Sequence, residues 1–208
     1  MPQKINYQIE MEKVIQAIPN GEKPKLLLQC CCAPCSSAVL EAVVPYFEVY
    51  LYNYNPNTYP PAEYEKRLAQ FAPLLEGDGF ANQVHILEAL YHPEEFFDAV
   101  QGLEEEPEGG KRCMVCYRVR LEGAAKKAKE IGADYFTTTL SVSPYKNAVA
   151  LNTIGRALGE TYGVPYLPSD FKKKEGYKKS IRLSHAYGLY RQDYCGCKFS
   201  MRESTEDK

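Results

Sequence analysis

The sequence lacks any apolar run long enough to cross a bilayer: its longest uncharged stretch, Leu26 to Leu40, is broken by Gln29, Pro34, Ser36 and Ser37. A secretory leader is also missing, because the opening residues MPQKINYQIEMEKVIQ carry Glu10 and Glu12 and show neither an apolar centre nor a small-residue cleavage site. These absences predict a cytoplasmic protein without a membrane partner. Glycine and proline number only 14 each, too few for collagen-like or linker composition, and 17 Tyr with 8 Phe argue against disorder. Histidine is scarce, and His85, His92 and His185 are not spaced with any cysteine pair, which counts against the common zinc sites that mix the two residues. No glycine-rich phosphate loop is present.

What remains, 208 residues of which 45% are hydrophobic and 25% charged, describes one ordinary globular domain with a sizeable core. The expected division is an N-terminal extension over 1–24, a single α/β domain over 25–200 and a frayed tail over 201–208. The net charge of −2 conceals a polarity: residues 1–110 sum to −11 and residues 111–208 to +9. A basic half suits a polyanion such as RNA, although solvated helix faces explain it equally well.

The eight cysteines carry the most information, since in a reducing compartment they are metal ligands or redox thiols rather than structural disulfides. None is isolated: Cys30, Cys31, Cys32 and Cys35 form one cluster, Cys113 and Cys116 a second, Cys195 and Cys197 a third.

Apolar periodicity predicts a short buried strand over Lys25–Gln29 that runs into the first cluster, then a helix capped by Ser36. An aromatic strand follows over Phe47–Tyr54, ended by Asn55-Pro56-Asn57 and Pro60-Pro61, then a helix over about Ala62–Leu75. Asn82–Leu87 reads as a third strand with His85 in it, and His92–Val100 as a short helix that His92 begins. The strongest helical signal covers Cys113–Ile131 and stops at Gly132. Ala133–Leu140 reads as a strand, Asn147–Leu158 as a helix, Val164–Leu167 as a last strand, and residues 178–191 as a final helix that delivers Cys195 and Cys197 beyond its end. Alternating strands and helices argue for a parallel, doubly wound, Rossmann-like α/β layer with its site in the loops after strand C-termini.

Cys32-Ala33-Pro34-Cys35, after a strand and opening a helix, has the context of a thioredoxin-type redox pair, where a helix N-terminus favours thiolate. Cys113 and Cys116 share one face of a helix start, the spacing used for zinc or iron–sulfur ligation; an iron–sulfur cluster held by one pair from each of two loops fits better than a zinc knot. Cys195-Gly196-Cys197 is a tighter pair, able to form a reducible disulfide or to chelate one metal. Three classes therefore stand: an iron–sulfur protein, a thioredoxin-like dithiol oxidoreductase and a zinc-stabilised RNA-binding module.

Several motifs occur together and in order: Cys31-Cys32-Ala33-Pro34, Arg112-Cys113-x-x-Cys116-Tyr117-x-x-Arg120-Leu121, Phe136 to Leu140 with Ser143-Pro144-Tyr145, Asp170-Phe171-Lys172-Lys173, and Tyr190-Arg191-Gln192-x-Tyr194-Cys195-Gly196-Cys197. In these the chain resembles the QueH family of epoxyqueuosine reductases over roughly Lys25 to Lys198. The resemblance implies a fold like that of the adenine nucleotide α-hydrolases (the HUP fold), with cysteines in place of the phosphate loop. It implies the last step of queuosine synthesis at the wobble position of tRNA, in which an epoxide oxygen leaves as water on addition of two electrons and two protons. Carried over, Cys31, Cys32, Cys113 and Cys116 would bind a [4Fe–4S] cluster and Cys195 and Cys197 would be the catalytic redox pair. Some members carry an aspartate where this chain has Cys35, and a second, mononuclear iron would sit at Cys35, Cys195 and Cys197. Cys30 reads as a buried strand-end residue.

The expected partners are a tRNA with a modified wobble base and an electron donor that the sequence does not identify. Beside the matched cysteines, Arg112, Tyr117, Arg120, Tyr145, Lys172, Lys173 and Arg191 are candidate substrate contacts, and Tyr145, Tyr194 and Asp193 candidate proton donors. A basic run of Lys172, Lys173, Lys174, Lys178, Lys179 and Arg182 is placed to meet phosphates. Asn53, Asn55 and Asn57 either read a base edge or build a turn.

Overall fold

The computed structural model describes residues 5–77 and 80–201 and places one parallel sheet at the centre of the chain. Its strands are β1 (Lys25–Gln29), β2 (Glu48–Tyr52), β3 (Val84–Leu87) and β4 (Tyr135–Thr138), side by side in the order β3-β2-β1-β4. The helices are α1 (Tyr7–Gln16), α2 (Ala33–Val43), α3 (Pro61–Ala69), α4 (Phe71–Gly77), α5 (Pro93–Ala99), α6 (Lys111–Glu130), α7 (Ala148–Tyr162) and α8 (Gly176–Ala186). No helix among the described residues is long and apolar enough to cross a membrane.

β1 is covered on both faces, which explains its unbroken KLLLQ sequence. Leu26 and Leu28 project into a core with α1, α2 and α4, while Leu27, one residue out of phase, projects into a second core with α6 and α7. The α6 face that meets the sheet is made of Ala124, Ala125 and Ala128, small enough for close approach. The α/β fold class read from the sequence is the one observed.

Several boundaries differ from expectation for local reasons. α2 begins at Ala33, with Cys32 as its N-cap and Pro34 in the first turn; Ser36, expected as the cap, lies inside the helix and bonds back to the Cys32 carbonyl at 2.9 Å. The helix expected over 62–75 is two, parted at Gln70. β4 ends at Thr138, whose hydroxyl accepts from Leu140 N and starts a 3-10 turn over Thr139–Val142. The expected Val164–Leu167 strand makes a single bridge, Tyr166 to Phe136. α8 runs from Gly176 to Ala186, so Tyr187 to Cys197 is an extended return rather than helix. The 1–24 stretch contains α1, whose Tyr7 and Met11 are buried and whose cap, Asn6, accepts from Gln8 N and Ile9 N. Apart from Met201, the expected tail lies outside the described residues, as do residues 1–4.

Gly155 of α7 packs on Tyr166, and a Cβ there would lie 2.4 Å from the ring. In an exposed helix Gly→Ala stabilises by about 1 kcal/mol. Here the sign reverses: Gly155→Ala should lower stability by about 1–3 kcal/mol in urea unfolding, because a ring in a filled core has to move.

Candidate metal and redox centre

The strand order sets the position of the site. From β1 the chain passes through α2 to β2 on one side, while β4 arrives on the other, so the strand C-termini open a crevice where the winding reverses. Cys30, Cys31 and Cys32 emerge from β1 at this point, Asn53 to Thr58 from β2 and Thr139 from β4.

A buried polar network ties these strand ends together. Gln29 Nε2 donates to the Tyr54 carbonyl at 3.0 Å and to Asn55 Oδ1 at 3.2 Å, and Gln29 Oε1 accepts from Thr138 Oγ1 at 2.7 Å. Asn55 Nδ2 donates to the Cys30 carbonyl at 2.8 Å, and Asn55 Oδ1 accepts from Arg120 Nη2 at 2.5 Å. Asn53, Asn55 and Asn57 are all buried, so they build the floor of the crevice.

On this floor the sulfurs of Cys31, Cys32 and Cys35 lie within 4.8 Å of one another at the N-terminus of α2. Cys31 Sγ is 3.6 Å from Cys32 Sγ and 3.6 Å from Thr139 Oγ1, and Gln192 Nε2 donates to Cys32 Sγ at 3.2 Å. Hydrogen bonds from Cys32 and Cys35, aided by the Arg120 charge, hold Cys31 well below the ordinary thiol range. The bond to Cys31 pushes Cys32 up to about 12, and the bonds to Cys31 and Cys32 push Cys35 upward as well. Burial raises Cys30, which is fully enclosed. A thioredoxin-type pair requires a lowered thiol at Cys32 or Cys35, whereas the lowered one is Cys31.

Cys113 and Cys116 lie in the first turns of α6 outside that close triplet. Gly109 N donates to Cys113 Sγ at 3.2 Å. Cys116 packs with Cys197, Phe96 and Val100, and burial pushes it up to about 12. The charge of Arg120 acts on Cys116 as it does on Cys31. The paired cysteines at the C-terminus diverge: Cys197 faces this apolar cluster, while Cys195 faces the crevice and accepts from Lys146 Nζ at 2.9 Å. Burial pulls the Lys146 ammonium down, but the adjacent Cys195 sulfur more than offsets it and the net shift is upward. Gly196 between them has φ +114°, and a Cβ would come within 2.6 Å of Arg67 Nη1, so only glycine fits. Arg67 Nη1 holds the Cys195 carbonyl at 3.3 Å and its Nε pairs with Glu63 at 2.7 Å.

Above the sulfurs is a cavity of about 490 Å³, lined among others by Cys31, Cys35, Cys195, Arg120, Lys146 and Tyr145. Its lining fits an anionic, sulfur-ligated metal group. Arg120 is 3% exposed, has no carboxylate within ion-pair distance among the described residues, and its buried Nε has no partner. An uncompensated buried charge costs several kcal/mol, so this arrangement calls for a negative group beside it.

Other residues singled out in the sequence have different surroundings. Arg112 is buried and donates to the carbonyls of Leu103 at 3.1 Å, Glu104 at 2.6 Å and Glu106, with its guanidinium over Phe199. Tyr117 is buried in the α6–α7 core. Arg191 lines the cavity and donates to Ser184 Oγ at 2.9 Å. Tyr145 is 78% exposed at the rim, and Tyr194 donates to the Tyr59 carbonyl at 2.6 Å. Much of the basic run is locally neutralised: Lys172 pairs with Asp170, Lys174 with Glu12, Lys178 with Glu175 and Lys179 with Glu41, leaving Lys173 and Arg182 without an ion-pair partner among the described residues. Lys146 and Gln192, which touch site sulfurs, were not singled out by sequence reasoning; Lys146 directly follows the Ser143-Pro144-Tyr145 motif and Gln192 lies within the last matched motif.

Among known proteins, the family described as epoxyqueuosine reductase QueH matches residues 26–203. The chain belongs to the QueH family. It is 45% identical to the epoxyqueuosine reductase QueH of Staphylococcus epidermidis, covering 99% of this chain and 88% of the relative. The QueH of Thermotoga maritima is 36% identical over 87% of this chain and 92% of its own. A solved structure, the U34-tRNA thiolase NcsA from Methanococcus maripaludis with its [4Fe-4S] cluster, superposes with a TM-score of 0.51 at 12% identity, covering 94% of this chain and 68% of that one, and so shares the fold.

Because Cys32, Cys35 and Cys116 are held as thiols, metal uptake must release their protons. Affinity of metal-free protein for cobalt(II), read from sulfur-to-metal absorption, should therefore rise as pH increases from about 6 to 9; an affinity independent of pH would contradict this protonation pattern.

Proposed function

We propose that this protein is an epoxyqueuosine reductase acting on tRNA, converting epoxyqueuosine at the wobble position to queuosine. Membership of the QueH family over nearly the whole chain carries the assignment. A cysteine-lined cavity at the strand C-termini supports it. In this reading Cys31, Cys32, Cys113 and Cys116 hold a [4Fe–4S] cluster, with Cys35, Cys195 and Cys197 available to a second iron. The cluster reading is supported by the clustered sulfurs and by the buried Arg120 cation that Cys31 and Cys116 share. An iron–sulfur cluster, when bound, supplies single electrons and an iron able to polarise oxygen.

The reaction opens two C–O bonds of the epoxide, forms a C=C bond and releases water, consuming two electrons and two protons. Oxidation of the Cys195 and Cys197 thiols to one disulfide supplies both pairs, and an external reductant then restores the dithiol. Cys195 faces the cavity and Lys146 holds its sulfur there. The wobble base must leave its stack to reach these sulfurs, and Tyr145, Tyr177 and Tyr194 offer rings around the cavity for it to stack on. Lys173, Arg182 and Arg191 are available for phosphates, and Tyr145, Tyr194 and Asp193, which line the cavity, are the candidates to relay the thiol protons to the leaving oxygen. The site of this work is the cytoplasm, where tRNA is met.

Turnover of epoxyqueuosine-containing tRNA under anaerobic dithionite, read as queuosine nucleoside, tests the assignment. The wild-type protein should convert it, while Cys195→Ser and Cys197→Ser should retain the four irons of the cluster and lose at least about 100-fold in rate, the scale seen when one group of a catalytic set is removed. Full turnover by either serine variant would contradict the dithiol role, and no turnover by iron-loaded wild type would contradict the assignment itself.

A further inference from the structure

Arg120 was read from sequence as a substrate contact, but its surroundings point elsewhere. Its side chain is buried to all but 3% and its Nη2 is pinned at 2.5 Å to Asn55 Oδ1. Asn55 is in turn fixed to the Cys30 carbonyl and to Gln29. The guanidinium therefore belongs to the rigid floor and has little freedom to swing toward an arriving nucleotide. Arg67, also buried, is neutralised by Glu63, whereas Arg120 lines the cavity, has no carboxylate within ion-pair distance among the described residues and keeps an unpartnered Nε. Arg120 shares that lining with Cys31, Cys35 and Cys195.

We propose that Arg120 is a positioning residue for the iron–sulfur group: braced by Asn55, it offers its free Nε–H and its charge to the sulfurs of the bound cluster and makes that cluster easier to reduce. The inference rests on the iron–sulfur reading above. Reduction adds a negative charge to the cluster, and a fixed positive donor beside the sulfurs favours the more negative state, since hydrogen bonding and local charge set such potentials. Gln29, Asn55 and Thr138 then serve the chemistry indirectly, by holding the guanidinium still in a water-poor floor where its charge is weakly screened.

The test is an anaerobic redox titration of the visible absorption band of wild type, Arg120→Gln and Arg120→Lys, without RNA and with iron and sulfide counted in each. Arg120→Gln with its cluster retained should be harder to reduce, by at least about tenfold in the one-electron equilibrium, or about 59 mV toward negative potential. Arg120→Lys, which keeps the charge but loses the directed Nε–H, should show a smaller shift of the same sign. A wild-type potential in iron-loaded Arg120→Gln overturns the proposal and returns Arg120 to substrate binding; should the glutamine variant hold no iron, a wild-type potential in Arg120→Lys overturns it. A wild-type protein that takes up no iron contradicts the cofactor reading first, so the two failures are distinguishable.

Discussion

The side-chain amide of Asn55 is the point on which the site depends. A parallel sheet ends in unpaired carbonyls and amides at the strand C-termini, and at a switch point these face a crevice rather than another strand. Asn55 takes the carbonyl of Cys30 with one end and, with the other, receives both Gln29 and Arg120, while Gln29 reaches across to Thr138. Three strand ends are thereby fixed to one another by side chains with almost no solvent access. Hydrogen bonds in such a setting are strong when complete and costly when not, so the floor has one satisfactory arrangement.

That rigidity determines what the cysteines can do. The turn out of β1 must pass directly into α2, and this places Cys31, Cys32 and Cys35 against the positive end of a helix, which favours thiolate. Around them the buried cations differ in role. Arg67 is spent on Glu63 and on the Cys195 carbonyl, holding the C-terminal return in place through a gap that only Gly196 leaves open. Lys146 fixes a single sulfur. Arg120 combines deep burial and an unused donor with a place in the lining of the cavity. Cysteines from three distant parts of the sequence thus meet around fixed positive charge, an environment that favours anionic sulfur and disfavours binding of a free cation without it.

β1 was legible because it sits between two helical layers and reads as a short apolar run, so that KLLLQ over Lys25–Gln29 matches it residue for residue, and β2 was legible from its alternation. The cysteine pairs were legible as chemistry because spacing within each pair is local. What was not legible came from contacts across the chain. Ser36 has the identity of a cap, but the sharp exit from β1 starts the helix at Ala33. Arg112 and Arg120 look alike in sequence, eight residues apart on one helix, yet one is held by the carbonyls of Leu103, Glu104 and Glu106 and the other is braced by Asn55 and lines the cavity. The lysine run from Lys172 looks like a phosphate-binding surface until Asp170, Glu12 and Glu41 come alongside it in the fold. α1 carries a weak periodic signal and packs through only Tyr7 and Met11 among its buried residues.

The central claim is that these converging cysteines form an iron–sulfur centre, and the most direct measurement is the iron, acid-labile sulfide and zinc content of anaerobically purified protein together with its visible spectrum before and after dithionite. The account predicts about four irons and four sulfides per chain with a brown absorption that bleaches on reduction, and any further iron would correspond to the additional site. A colourless protein with stoichiometric zinc, or one that stays metal-free after anaerobic reconstitution, would contradict it.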